Sequence, residues 1–280
     1  MKYSEILKKY EKLSHEKQKE VSALKLLLMH VTSLSSTELI IKIDEEMEEV
    51  AANKFEKEAY KYIYENVPVQ HLVGYDYFYG YKFVVNKDVL IPRYETEELV
   101  QNVLMYYDEV FNGEKVTVVD IGTGSGAIAI ALANEEENMD VTATDISKEA
   151  LKTAEINNKN NNEKVKLLWG DLFSPLEGKK FDIIVSNPPY IPENEYVDPL
   201  VKDNEPAIAL FGGNDGLYFY RLILKDAKNY LNDRFIIAFE HGYTMGKEIH
   251  DLARLYFKNE EIILLKDMQG KDRMTFIIKR

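Results

Sequence analysis

The sequence predicts an α/β fold: a strand–helix domain preceded by a small all-helical bundle and a β-hairpin. Three observations predict it. Residues 1 to about 67 repeat apolar side chains at helical spacing. Residues 75 to 83 alternate with period two. From about residue 95, short apolar runs alternate with helical stretches, the pattern of a largely parallel sheet covered on both faces.

The helical region, residues 1–67, reads as four runs. Tyr3, Ile6, Leu7, Tyr10 and Leu13 share one helix face. Val21, Leu24, Leu27 and Leu28 form a second run, and Leu39, Ile40, Ile43 and Met47 a third. Val50, Ala51, Phe55, Ala59, Tyr62 and Ile63 form a fourth. No Gly or Pro precedes Pro68, so nothing in the composition breaks these helices.

Residues 68–94 read as a hairpin linker. Tyr75, Tyr77, Tyr79, Tyr81 and Phe83 alternate, with Gly74 and Gly80 as punctuation. Asn86-Lys87-Asp88 reads as the turn before Val89-Leu90-Ile91, and Pro92-Arg93 closes the segment.

Within residues 95–280 the candidate strands are Val116–Asp120, Val141–Asp145, Val165–Leu168, Ile183–Ser186, Phe235–Glu240, Glu261–Leu265 and Thr275–Ile278. Lys266–Arg273 is too short for a helical crossover, so the last two should pair antiparallel.

Composition narrows the chemistry. The chain has 280 residues and no cysteine, which excludes disulfides, thiolate metal ligands and a cysteine nucleophile. The polar N-terminus is unlike a signal peptide, and no apolar run approaches the roughly 18 residues of a membrane span. We expect a cytoplasmic monomer without a metal. The formal net charge of −13 argues against a nucleic-acid backbone as the main ligand.

The chemistry lies in two motifs. Asp120-Ile121-Gly122-Thr123-Gly124-Ser125-Gly126 ends the first strand and opens a helix. Glycines allow a sharp turn and a close ligand approach, but Gly122, Gly124 and Ala127 also fit a dinucleotide fingerprint. Asp120 would repel a pyrophosphate and suits a ligand with an ammonium and a sulfonium group. That favours S-adenosylmethionine. Asp145, beside Ile146 at the end of the second strand, is placed to hold ribose hydroxyls, or to cap the next helix. Asp171, beside Leu172 after the third strand, could meet the adenine amino group.

The fourth strand runs into Asn187-Pro188-Pro189-Tyr190. The prolines contribute no N–H, which leaves carbonyls and the Asn187 side chain facing the crevice. An amide nitrogen is a poor nucleophile because its lone pair is delocalised. Asn187 Oδ1 and the Pro188 carbonyl can grip its N–H bonds, and Tyr190 can pack on the planar group. Methyl transfer then rests on positioning and electrostatics.

The chain here resembles the peptide chain release factor glutamine methyltransferases, the PrmC or HemK family. The resemblance runs from about Pro68 to Arg280. It includes Pro68–Gly74, Ile91-Pro92-Arg93 with Glu95-Thr96-Glu97, and both motifs above. It continues through Glu205-Pro206, Gly212-Gly213 with Asp215-Gly216-Leu217, and Lys271-Asp272-Arg273. It implies a seven-stranded, Rossmann-like class I methyltransferase domain and methylation of the glutamine N5 in the Gly-Gly-Gln motif of release factors, a translation termination step. By position it assigns Gly122, Asp145 and Asp171 to the cofactor and Asn187 to the glutamine amide. Arg93, Thr96 and Glu97 fall beside the site. Residues 1–67 would recognise the protein substrate. Tyr94, His241 and Met245 depart from the family pattern. The first rival function is an N(6)-adenine or other nucleic-acid amino-methyltransferase, which would use the same Asn-Pro-Pro-Tyr segment on a flipped base. A non-enzymatic nucleotide-binding module and a nicotinamide enzyme are the others, and the last leaves that segment unexplained.

Overall fold

The structure is a computed structural model that describes residues 1–280. It divides into two compact units, Met1–Tyr75 with Val197–Asn204, and Asp76–Tyr196 with Glu205–Arg280.

The first unit contains α1 (Tyr3–Glu16), α2 (Val21–Thr32), α3 (Ser36–Ile41), α4 (Glu49–Tyr64) and α5 (Val69–Val73). Ile6, Leu24, Leu27, Leu28 and Phe55 are wholly buried in its core. Tyr10 meets Phe55 edge to face, with centroids 5.4 Å apart. The third run departs from expectation. It yields only the short α3, started by Ser35 and Glu38 in a reciprocal cap. Leu39 is buried but Ile40 is exposed, and Met47 lies beyond the helix. Val50 of the fourth run is also exposed. Residues 68–75, expected in the linker, belong with the helices because Val69 and Val73 sit in their core. So does the distant Val197–Asn204: the Asn204 side chain donates to the Asn66 carbonyl at 2.7 Å.

The hairpin comprises β1 (Tyr75–Phe78) and β2 (Tyr81–Val84). Its turn lies at Tyr79–Gly80, not at Asn86–Asp88. Both turn residues have positive φ, 51° and 80°, as a two-residue hairpin turn requires. Val89–Ile91 consequently forms no strand.

The second unit continues with α6 (Tyr94–Phe111), β3 (Val116–Ile121), α7 (Ala127–Glu135), β4 (Met139–Asp145), α8 (Lys148–Asn160), β5 (Lys166–Trp169) and β6 (Phe181–Ser186). The short α9 (Pro199–Lys202) lies in the segment that belongs to the first unit. Then come α10 (Ala207–Leu210), α11 (Tyr218–Ala227), β7 (Leu231–Glu240), α12 (Gly246–Tyr256), β8 (Glu261–Lys266) and β9 (Asp272–Lys279). All seven expected strands join one sheet in the order β5-β4-β3-β6-β7-β9-β8. The first five are parallel, and β9 runs antiparallel to both β7 and β8. Alternate strand residues feed opposite cores. Val118, Ile183 and Ile236 pack with α6 and α7, whereas Val119, Ile184 and Ile237 pack with α11 and α12. The sheet reverses between β3 and β6, and the crevice at the carboxyl ends of such strands is where α/β sheets bind ligands.

Candidate active site

A cavity of about 330 Å³ opens at that switch point. This falls in the size range of small-molecule sites. Gly122, Thr123 and Gly124 line it after β3, Asp145 and Ile146 after β4, and Asp171 and Leu172 after β5. Asn187, Pro188 and Pro189 line it after β6, joined by Arg93 and Thr96 at the start of α6. Among the residues singled out in the sequence, Asp120, Gly126, Tyr190 and Glu97 lie outside this lining.

The glycine loop is built around Asp145. One carboxylate oxygen accepts the Gly124 N–H and the other the Ser147 N–H, each at 2.8 Å. Gly124 needs its φ of +56° to turn that N–H inward. The helix cap that Asp145 might have provided comes from Ser147, whose hydroxyl accepts the Ala150 N–H. Each Asp145 oxygen keeps acceptor capacity for a further donor. Two adjacent acceptors facing a cavity fit a vicinal diol. Burial raises the Asp145 pKa, and the Ser147 and Gly124 N–H groups oppose that rise.

Asp120 is wholly buried behind the loop. Thr123 donates its hydroxyl to one oxygen at 2.6 Å, and the other has no partner. Burial pushes its pKa up to about 7. Leu172 holds φ +46°, strained for a branched residue, and its carbonyl accepts the Thr144 hydroxyl at 3.2 Å.

The Asn-Pro-Pro-Tyr segment is fixed from both sides. Asn187 Nδ2 donates to Thr96 Oγ1 at 3.2 Å. This leaves Asn187 Oδ1 as the free acceptor of that amide. On the far side the Gly212 N–H donates to the Ile191 carbonyl at 2.9 Å. A Cβ on Gly216 would stand 2.2 Å from the Tyr190 carbonyl, so only glycine admits this approach. Tyr190 is packed beside Gly242, and burial pushes its phenol up to about 12.

Arg93 pairs with Glu205 at 2.6 Å, and Glu205 also accepts the Ile91 N–H at 3.1 Å. Glu97 accepts the Tyr79 N–H at 2.8 Å and thereby steadies the hairpin turn. Tyr94 is exposed, and Met245 is buried against Gly216 and Gly242. His241 lies in the loop after β7 and is buried. Its Nε2 lies 3.0 Å from Thr275 Oγ1, and burial lowers its pKa, which keeps the ring neutral near pH 7. Glu240 went unnoticed in the sequence. It is buried at the end of β7 with the Thr96 and Asn187 side chains beside its carboxyl. Its strand-end position, shared with Asp145, was the available signal.

The PrmC N-terminal domain model matches residues 5–74, and the methyltransferase small domain model matches residues 99–203. The release factor glutamine methyltransferase of Bacillus cereus is 41% identical over 280 residues, spanning 99% of each chain. The chain belongs to the release factor glutamine methyltransferase family. The family enzyme of Bacillus subtilis is 43% identical over 262 residues, 91% of this chain and 90% of its own. Among solved structures, a methyltransferase from Pyrococcus furiosus superposes with a TM-score of 0.52 at 21% identity. It covers 71% of this chain and 88% of that one, a likeness of fold. Membership in this family of methyltransferases agrees with a cavity that joins a glycine loop to an Asn-Pro-Pro-Tyr acceptor. No helix is long and apolar enough to cross a membrane.

Proposed function

We propose that this protein transfers a methyl group from S-adenosylmethionine to the side-chain amide nitrogen of the glutamine in the Gly-Gly-Gln motif of peptide chain release factors. The observation that carries the reading is the Asn187–Thr96 hydrogen bond, which turns the Asn187 NH₂ toward Thr96 and leaves its oxygen to accept from an amide.

S-adenosylmethionine supplies an electrophilic methyl on its sulfonium. Gly122, Thr123 and Gly124 bring backbone close to it, Asp145 accepts from the ribose hydroxyls, and Asp171 and Leu172 flank the adenine. Asn187 Oδ1 and the Pro188 carbonyl accept the two N–H bonds of the glutamine amide. That grip orients the nitrogen and concentrates electron density on it. Tyr190 braces the segment, and Pro189 closes it without an N–H that would compete for the amide oxygen. Arg93, held by Glu205, stands at the acceptor side. The helical unit supplies the recognition area that a lone glutamine lacks, since specific protein recognition buries on the order of 1,200–2,000 Å².

Mass spectrometry of a release factor incubated with the protein and labelled S-adenosylmethionine tests this. A mass gain of one methyl on the Gly-Gly-Gln glutamine is the expected result. Labelling of adenine in a DNA or RNA arm, with none on the release factor, would replace the reading with the nucleic-acid one. The net charge of −13 disfavours that outcome.

A further inference from the structure

Glu240 ends β7, is 2% exposed and has one carboxyl oxygen, Oε2, without any hydrogen-bond partner. Leaving a buried carboxyl oxygen unpaired is costly. Glu240 stands behind the residues that line the cavity, Thr96 and Asn187 among them. The Thr96 hydroxyl and the Asn187 amide both lie against its carboxyl. Three elements thus converge: Thr96 from α6, Asn187 from the tip of β6 and Glu240 from the tip of β7.

We propose that Glu240 is a positioning residue that fixes, through Thr96, which way round the Asn187 amide stands. The inference rests on the acceptor role of Asn187 set out above. An ionised carboxylate only accepts hydrogen bonds. It therefore accepts a hydrogen bond from the Thr96 hydroxyl, which leaves a Thr96 lone pair for Asn187 Nδ2, the bond observed at 3.2 Å. Asn187 Oδ1 then faces the acceptor. A protonated Glu240 donates instead. The Thr96 hydroxyl then turns toward Asn187 and prefers its oxygen, which swings the Asn187 NH₂ toward the substrate and removes the acceptor.

The charges around Glu240 keep this switch near neutrality. Burial raises its pKa to about 7. Thr96, the Arg273 guanidinium from β9 and Asn187 oppose the rise, and Glu95 from α6 adds to it. The Tyr190 and Tyr220 phenols also face it, both held neutral by burial, and Tyr220 donates to the Glu240 backbone carbonyl at 2.7 Å.

The test compares wild type with Glu240→Gln and Glu240→Ala. Wild-type kcat should fall about tenfold per pH unit below about 7. Glu240→Gln mimics the protonated carboxyl, with a donor where the carboxylate only accepts, so it should hold the low acid-form kcat at every pH and show no acid limb. Glu240→Ala should lose about 10²-fold in kcat, with cofactor affinity unchanged, and add no further loss to Asn187→Ala. In nitrogen-15 NMR the Asn187 NH₂ resonances should titrate near pH 7 in wild type and stand still in Glu240→Gln. This readout needs no turnover, so it decides the orientation even if no release factor is methylated. An unaltered acid limb in Glu240→Gln, or Asn187 resonances indifferent to pH 6–8 in wild type, would overturn the proposal.

Discussion

Gly124 donates its backbone N–H to the Asp145 carboxylate at 2.8 Å, so the turn after β3 and the tip of β4 are held as one surface. The same carboxylate is the proposed ribose acceptor. Removing a charged hydrogen-bond partner costs about 1.5–3 kcal/mol. Asp145→Ala should therefore weaken S-adenosylmethionine binding by about tenfold or more, read by titration calorimetry. Wild-type affinity would place the ribose elsewhere.

Asn187→Ala removes the proposed acceptor of the substrate amide but none of the glycine loop. Turnover should drop by about 10²–10³ at saturating substrate while cofactor affinity stays close to wild type. Steady-state kinetics beside calorimetry separates the two, and a variant that turns over normally would end the assignment.

Glu205 carries its charge into a nearly closed environment and depends on Arg93 and the Ile91 N–H. Arg93 is one-third exposed, so solvent screening weakens the pair below a fully buried one. Arg93→Ala should cost about 1–3 kcal/mol in urea unfolding, because the carboxylate is left without its cation. Glu205→Gln in the same background should recover part of that loss, and no recovery would mean that packing, not charge, was lost.

Asp120 predicts a pH dependence of stability. Its pKa is raised from 3.8 to about 7 by burial. Below pH 3.8 both folded and unfolded chains keep the proton and the group contributes nothing. As pH rises toward 7, only the unfolded chain releases it, so this group subtracts on the order of 4 kcal/mol by pH 7 and levels off just above it. Asp120→Asn should flatten that decline between pH 4 and 7, followed by unfolding free energies across the range. An unchanged slope would show that Asp120 ionises normally in the fold.

The helical unit carries none of the cavity lining. A variant without residues 1–75, and with Val197–Asn204 replaced by a short linker, should still bind S-adenosylmethionine. It should lose most activity on an intact release factor and little on a Gly-Gly-Gln peptide, with circular dichroism to verify folding. Equal losses on protein and peptide would assign the unit a structural role.

Local order was legible in the sequence because it is written at short range. The seven strands follow from apolar runs, the antiparallel end from a connection too short for a helix, and the two motifs from adjacent residues. The hairpin turn was misplaced because alternation runs unbroken through Tyr79 and Gly80, and only their positive φ values reveal the reversal. Other features had no local signature. Val197–Asn204 joins the helices through Asn66, far back in the chain. Thr96 lies 91 positions from the asparagine it holds, and Glu240 reaches both only because β7 lies beside β6 in the sheet. Periodicity reports which face of an element is apolar. Which strand tips become neighbours, and hence which polar groups must satisfy one another in the dry crevice, is set by strand order and decided only when the chain closes on itself.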